Sequence, residues 1–461
     1  MVKKTKRLAL AVVAVIMLTI SLMGLYYLLD IQESEVDVEQ YPFPPLLDVS
    51  KTVFRLPQAV TDRTPVAGTM SIEYGKEKKE YGITASKRGS SSYLFSKPQY
   101  SLSLIGEDGV EVSRSIMDMP SGEDWVLNGP FIDKTMIRNY LGYSVAFDIM
   151  GYAPRLQFTE LHHEINGVLS YRGLYAWTEK IRRDNHKVKI SASLQGYEET
   201  SFIVKRDTYR IGDTLLKVYG KELYLYPNEM LQVYPRVNLT DAQRNYTEDT
   251  ISLFERNLYH DNYDVEGLGY EEYADLLSFV DFVIINEFFM NTDAGIKSTY
   301  FYKDARGKLM AGPVWDFNNA MGNVNFNFEM YDYKGFFMHQ RAWFDRLLND
   351  KKFVGILIDR YKHLRRLELS DDVLQSKIDE AMSVLSPFIE RDQTLYTASK
   401  VNVAYRGFLG LEDMRLADHM NQMLLDEHHL PTEVSRLKNF ITKRGQWMDE
   451  NIDSLLKWVD Q

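Results

Sequence analysis

The amino-acid sequence predicts an α+β protein with an apolar N-terminal helix and a helical C-terminal region. Short segments of alternating polarity, at residues 68–74, 79–85 and 99–105, indicate strands in the first part of the chain. From residue 341 onward, apolar residues recur at helical spacing and indicate three or four amphipathic helices. Strands that come early and helices that come late are typical of the α+β class.

The predicted N-terminal helix covers residues 8–29, which include no charged side chain. A helix of about 22 residues rises about 33 Å, enough to cross the hydrocarbon core of a bilayer. Because basic residues precede this segment, we expect residues 1–30 to form a cytoplasmic tail and a single-pass membrane anchor, with the rest of the chain outside the cytoplasm. A cleaved signal peptide is the alternative, although no small-residue cleavage site follows the segment.

The composition excludes several kinds of site and partner. The chain of 461 residues contains no cysteine, which rules out disulfides, thiolate zinc sites and a cysteine nucleophile. Its formal net charge is -11. An acidic body does not attract nucleic acid, so we expect no nucleic-acid partner, while a local basic cleft for a phosphate group stays compatible with this charge.

Local signals divide the chain further. Residues 31–52 are acidic and then proline-rich, which predicts an extended linker. Asp133 is a candidate N-cap for a helix. The dipeptide Asn166-Gly167 separates two apolar segments and predicts a tight β-hairpin. A long apolar pattern over residues 270–290 predicts a buried helix.

A glycine–serine loop that begins at Arg88 is a candidate anion site. Arg88, Ser90 and Ser91 would offer a guanidinium group, hydroxyl groups and backbone N–H groups to a phosphate. Lys97 follows the loop just before a predicted strand. Glu179 ends an apolar segment and is a candidate to hold that lysine in an ion pair, as a glutamate does in protein kinases. A serine-rich turn and an exposed Glu179–Lys180 pair are the alternative interpretation.

Two aspartates flank a second predicted hairpin. Asp293 follows the buried helix in the segment NTD, and Asp316 follows the hairpin in the segment GPVWDF. Phosphoryl transfer needs one carboxylate to orient the acceptor hydroxyl and another to hold a divalent ion against the phosphates. Because the hairpin brings both aspartates toward one cleft, their order predicts this kind of chemistry.

Taken together, these segments resemble the spore coat protein H (CotH) kinase family. The resemblance is carried, in chain order, by RGSSS with a following lysine, DWVLNG with DKTMIRN, FTELHHEING with YRGLYAWTEK, NTD with STYFYKD, and GPVWDFNNAMGN. It covers roughly residues 60–325, and the GPVWDF segment with the upstream NTD is its most distinctive part.

The resemblance implies an atypical protein-kinase-like fold over residues 53–340, followed by a C-terminal helical region at residues 341–461. It implies a kinase that transfers phosphate from ATP, with Mg²⁺ or Mn²⁺, to protein hydroxyls. Together with the anchor predicted from residues 8–29, this predicts a membrane-anchored kinase that acts on Ser or Thr of an envelope or coat protein. The expected partners are therefore a nucleotide, a protein substrate and the membrane.

Roles carry over residue by residue to matching positions. Lys97 would contact phosphates, and Glu179 would steady Lys97. Asp293 would be the catalytic carboxylate, and Asp316 would be the metal ligand.

Two aromatic residues and two departures from the pattern complete the predicted site. Trp315 would stack on the nucleobase, and Tyr175 is a candidate for the opposite face, although Trp315 also fits a role in the core. Ser298 stands where kinase catalytic loops have an asparagine, and Asn318 stands where the family often has a second acid. Both are predicted metal ligands, because Ser and Asn oxygens can bind Mg²⁺ without adding charge.

Two other function classes stay open. One is a catalytically silent relative that binds envelope proteins or glycans through the same cleft. The other is a hydrolase or nucleotidyltransferase that uses the same carboxylates and a metal ion.

Overall fold

The structure of the protein is a computed structural model, and it describes residues 41–459 except Ser90, Gln195, Tyr226 and residues 236–238, 324–331 and 397–428. The predicted membrane segment and residues 31–40 of the predicted linker lie outside the described residues. The predicted location outside the cytoplasm depends on that segment and stays a prediction. In the part of the chain that the structure describes, no helix is both long and apolar enough to cross a membrane.

The first seven strands form one closed barrel with the order β1-β2-β3-β4-β5-β7-β6. They are β1 (Ser50–Leu56), β2 (Val66–Tyr74), β3 (Glu77–Arg88), β4 (Gln99–Ile105), β5 (Asp124–Asn128), β6 (Leu156–Ile165) and β7 (Val168–Glu179). Strands β6 and β7 join through Asn166 and Gly167, both at positive φ, so the predicted hairpin is confirmed. Asn and Gly tolerate this left-handed backbone better than other residues do.

The rest of the described chain includes a second sheet and the α-helices. The sheet has the order β11-β10-β8-β9, and its strands are β8 (Phe202–Arg206), β9 (Leu231–Tyr234), β10 (Thr299–Lys303) and β11 (Met310–Ala311). The helices are α1 (Arg138–Met150), α2 (Asp241–Tyr259), α3 (Leu276–Phe288), α4 (Phe344–Leu347), α5 (Lys351–Leu364), α6 (Asp371–Tyr396) and α7 (Leu430–Asn451).

The predicted fold class requires a correction. Helices and strands are both present, but the predicted protein-kinase-like architecture is wrong, because the early strands close into a seven-stranded barrel. The membrane helix predicted at residues 8–29 lies outside the described residues. The barrel closes where β1 pairs in parallel with β6, with Ser50 beside Thr159. Alternating polarity predicts a strand but does not identify a partner about 100 residues away.

The C-terminal helices pack on the same hydrophobic core as α3. A buried ion pair joins α7 to α3: Arg444 on α7 donates to the Glu287 carboxylate on α3 at 3.2 Å. The other Glu287 oxygen accepts the backbone N–H groups of Phe337 and Met338. Burial outweighs the nearby Arg444 charge and raises the pKa of Glu287 to about 7.

A buried histidine in the barrel gives the fold a predicted pH dependence. His163 stacks on Phe54 with 5.5 Å between ring centroids, and its Nε2 atom has no partner within the described residues. Burial, followed by the charges of Arg172 and His162, lowers the pKa of His163 to about 3. Folding therefore requires the neutral ring, while the unfolded chain binds a proton below a pH of about 6.5.

We expect the free energy of unfolding of the wild type to fall by about 2 kcal/mol more than that of His163→Phe as the pH drops from 7 to 5. The sign follows because, between about pH 6.5 and pH 3, the unfolded chain binds a proton at His163 and the folded chain does not. Lowering the pH through this range therefore favours the unfolded chain. Urea titrations at both pH values measure the difference. The exposed control variant His363→Gln is expected to follow the wild type, and parallel curves for His163→Phe would contradict the assignment.

Candidate functional site

A cleft lies between the barrel and the second sheet. It consists of a larger cavity of about 1020 Å³ and a smaller one of about 330 Å³. Strands β3, β4 and β5 line the larger cavity on the barrel side, and β8, β9 and β10 line it on the other side. Arg88 and Trp315 line both cavities, so the two volumes meet at these side chains.

The smaller cavity gathers most of the predicted site. It is lined by Arg88, Asp293, Ser298, Trp315, Asp316 and Asn318. Strands β10 and β11 form the predicted hairpin between the two aspartates, with Phe301 beside Ala311. The tertiary structure therefore brings the two carboxylates to one cavity, as their order along the chain indicated.

The two carboxylates differ in their surroundings. Asp293 forms an ion pair with Lys297 at 3.2 Å, and its side chain is 15% exposed. Asp316 is half-buried and lies at a positive φ. Burial raises the pKa of Asp316, and the like charge of Asp293 raises it further, while Lys297 and Arg88 oppose both effects. A cation between the two carboxylates would relieve this repulsion.

Hydrogen bonds from α1 hold the loop that carries Asp316. They also fix the orientations of the Asn139 and Asn318 side-chain amides. The backbone N–H of Phe317 donates to Asn139 Oδ1 at 2.7 Å, which leaves Asn139 Nδ2 to donate to Asn318 Oδ1 at 3.1 Å. Asn318 Nδ2 then donates to Asp316 Oδ1 at 2.5 Å. Asn318 therefore presents an N–H group to Asp316, which differs from the metal ligand predicted at this position.

The segment before Asn139 supports the same loop from behind. Arg138 forms a buried ion pair with Asp133 and donates through Nε to the carbonyl oxygen of Ala320 at 3.1 Å. A Cβ atom on Gly142 would come within 2.4 Å of the Phe317 ring, so only glycine fits there. Residues 133–139, the segment DKTMIRN, therefore position the loop that carries Asp316.

Oxygen donors at the smaller cavity suit a hard divalent cation. Besides the two carboxylates, Asn319 lines the cavity, and its Oδ1 atom is buried without a partner among the described residues. Its Nδ2 atom donates to Asp293 at 3.4 Å. No cluster of three or more His, Cys, Asp or Glu side chains that could hold a metal lies within the described ranges. The Asp293 and Asp316 carboxylates and the Asn319 amide oxygen are thus candidate ligands, with Asn319 in place of Asn318, and the predicted ligand Ser298 lines the same cavity.

The two aromatic residues predicted to contact the nucleobase lie in different places. Trp315 is half-buried and lines both cavities, and the Arg88 guanidinium lies 6.0 Å from its ring centroid. Tyr175 lies instead in the interior of the barrel, where it is fully buried against Tyr100. Its position on β7 makes it a core residue, because alternate side chains of a barrel strand point inward. The predicted contact of Tyr175 with a nucleobase therefore has no place in this structure.

Lys97 and Glu179 are paired differently from the prediction. Lys97 is completely buried, and its Nζ atom lies 2.6 Å from Asp392 Oδ1 on α6. Glu179 is equally buried and binds Arg155 at 3.1 Å. Neither residue lines the cleft. Each charge instead has a partner outside the cleft, 295 positions away for Lys97 and 24 for Glu179, because a buried charge requires an ion pair or hydrogen bonds.

The glycine–serine loop is described only in part. Ser90 and the side chain of Ser91 lie outside the described residues, so their predicted contacts with an anion stay predictions. Gly89 has φ +108, and a Cβ atom there would lie 2.0 Å from Ser92 Oγ. Gly89 and Ser92 both line the smaller cavity. The residues on both sides of this gap therefore line the same cavity as the aspartates.

Sequence reasoning overlooked several cations of the cleft. Lys297 follows Asp293 by four positions, a spacing that already favours an ion pair on one helical turn. Arg63, Lys87 and Arg210 line the larger cavity, and they come from separate segments that no local pattern connects. Only the Lys297 signal was available in the sequence.

Comparison with known proteins gives one match. The family model described as CotH kinase protein matches residues 85–448. No curated protein matches the chain.

Proposed function

Because the chain belongs to the CotH kinase family, we propose that it is an ATP-dependent kinase that phosphorylates Ser or Thr hydroxyls of an envelope or coat protein. The observation that carries this proposal is the meeting of Asp293, Lys297 and Asp316 in one cavity beside Trp315. Carboxylates and cations in this arrangement suit phosphoryl transfer, in which positioning and charge stabilisation provide most of the rate.

The charged groups divide the work of the reaction. Asp293 orients the acceptor hydroxyl and accepts its proton as the oxygen attacks the γ-phosphorus and the bond to the β-phosphate oxygen breaks, which releases ADP. Lys297, held 3.2 Å from Asp293, and Arg88 stabilise negative charge on the transferred group. The Trp315 ring, which lines both cavities, offers a stacking face for the nucleobase.

A divalent cation fits the same cavity. Asp316 and Asn319 would hold it, and bound Mg²⁺ or Mn²⁺ would neutralise the phosphate charges. Asn318 stabilises the ionised form of Asp316 through its N–H group, and Asn139 and Arg138 keep the loop in place. These residues prepare the site by fixing the direction of the Asp316 carboxylate.

The test is a calorimetric titration of the full chain with ATP, with and without Mg²⁺ or Mn²⁺, followed by product analysis. We expect binding that depends on the metal and formation of ADP together with a phosphorylated protein. Formation of AMP or pyrophosphate would favour the nucleotidyltransferase class instead. The absence of nucleotide binding with either metal would contradict the proposal.

One feature favours the silent alternative, a relative that binds envelope proteins or glycans without catalysis. Asn318 replaces the second acid that the family often has, and its N–H group rather than its oxygen faces Asp316. The described part of the cavity therefore has fewer anionic ligands for a metal ion. The titration separates the two functions, because a silent protein would bind neither ATP nor the metal in this cavity.

A further inference from the structure

The larger cavity carries an excess of positive charge. Its basic lining residues are Arg63, Lys87, Arg88, Lys180, Arg182, Lys205 and Arg210, and its acidic ones are Asp207 and Asp213. The chain as a whole has a net charge of -11. A basic wall on an acidic protein points to a specific anionic ligand, because non-specific attraction of anions to this protein is weak.

Some of these cations are already neutralised. Lys180 and Arg182 both bind Asp124, and Lys205 binds Asp207 at 3.2 Å. These three side chains therefore contribute to the structure of the cleft wall more than to its available charge.

The others form no ion pair within the described part of the chain. Arg63 donates to the Gly89 carbonyl oxygen at 2.8 Å, and Arg88 donates to Gln99 at 3.3 Å. Arg63 and Lys87 both lie over the Tyr93 ring, at 4.7 Å and 4.6 Å from its centroid.

The unpaired cations also repel one another. Burial lowers the pKa of Arg210, and the charges of Arg63 and Arg88 lower it further, although Asp207 and Asp213 partly offset this. Burial also lowers the pKa of Lys87. A bound anion would remove this repulsion, as expected of a preformed anion site.

Two of these cations lie apart from the reacting groups, whereas Arg88 and Arg210 line both cavities. Arg63 and Lys87 line only the larger cavity, whereas Asp293 and Asp316 line only the smaller one. With about 1020 Å³, the larger cavity is at the upper end of the volumes that small-molecule sites have, so it has room beside a nucleotide.

Apolar side chains at the same cavity favour a peptide as the ligand. Tyr209 and Ile211 line the cavity on either side of Arg210, and their side chains are 43% and 93% exposed. A free anion would gain nothing from exposed apolar surface, whereas an extended peptide can cover it while its acidic groups contact the cations.

We propose that Arg63, Lys87 and Arg210 bind acidic side chains of the protein substrate close to its target hydroxyl. The inference rests on the proposed kinase function and adds to it a substrate class, namely Ser or Thr flanked by Asp or Glu.

The test measures binding of three labelled peptides to the full chain by fluorescence polarisation in the presence of a non-hydrolysable ATP analogue. The peptides carry one serine flanked by Glu, by Gln or by Arg. We expect the Glu peptide to bind most tightly, and the double variant Arg63→Gln/Lys87→Gln to weaken it about five- to tenfold with unchanged ATP affinity. Higher salt should reduce the difference between the peptides.

Two further variants make the test independent of folding and of total charge. Lys76→Gln/Lys351→Gln changes the same number of charges at exposed positions outside the cleft and is expected to bind like the wild type. Arg210→Gln tests the same wall if the double variant does not fold.

Equal binding of the Glu and Gln peptides, or a parallel loss of ATP affinity in Arg63→Gln/Lys87→Gln, would overturn the inference. A wild type that binds no ATP would instead contradict the kinase function, and the peptide comparison would still decide the anion site.

Discussion

Asp316→Asn is expected to lower the rate of phosphoryl transfer by at least about 10³-fold and to abolish metal-dependent binding of ATP. The substitution keeps the shape of the side chain and an oxygen that can accept from Asn318, but it removes the negative charge at the smaller cavity. Calorimetry with ATP and Mg²⁺, together with the rate of ADP formation, measures both effects.

The same variant is expected to be at least as stable as the wild type. Burial and the charge of Asp293 both disfavour the ionised carboxylate, as the raised pKa of Asp316 indicates. Removing the charge therefore relieves repulsion in the metal-free protein. Urea unfolding checks this expectation, and the exposed control Asp359→Asn on α5 should change neither activity nor stability. An active Asp316→Asn protein would exclude the proposed role of this carboxylate.

Lys97→Met is expected to lower the free energy of unfolding by about 3 kcal/mol or more. The variant leaves the Asp392 carboxylate buried without its cation, although the backbone N–H of Leu174 still donates to it at 2.7 Å. The Lys97 side chain is 0% exposed, so water cannot replace the lost partner. Once folded, the variant should bind ATP as the wild type does, because Lys97 does not line the cleft.

Two comparisons decide between this structural role and the phosphate contact predicted from the sequence. Lys362→Met breaks an ion pair with Asp453 whose side chains are 45% and 64% exposed, and it should cost less than about 1 kcal/mol. Combining Lys97→Met with Asp392→Leu should restore part of the lost stability, because both charges are then absent. A folded Lys97→Met protein with normal stability and lost ATP affinity would support the phosphate contact instead.

Short-range features of this protein were available from the sequence. The Asn166-Gly167 hairpin requires only a residue pair that tolerates positive φ. The meeting of Asp293 and Asp316 follows from the short hairpin between them, which joins β10 to β11. The buried helix α3 was also predicted, although it begins at Leu276, where Asp275 caps it by accepting the N–H of Ser278, rather than at residue 270.

Charge partners were not available, because a local pattern does not identify them. Lys97 pairs with an aspartate 295 positions away, and the Asn139 amide reaches Phe317 across 178 positions. The sequence indicates that a lysine follows a glycine–serine loop, but only packing decides whether that lysine faces a cleft or the core. Glu179 illustrates the same limit, since Arg155 takes the position of the predicted lysine partner.

The sequence by itself determined the family, the two carboxylates that line the smaller cavity and the tight turns, because each depends on residues close together in the chain. The tertiary structure decided the closed barrel, the role of Asn318 as a donor to Asp316 and the basic wall of Arg63, Lys87 and Arg210. The physical reason is that burial and long-range pairing set the surroundings of a charged group, and those surroundings decide whether it supports the fold or contacts a ligand.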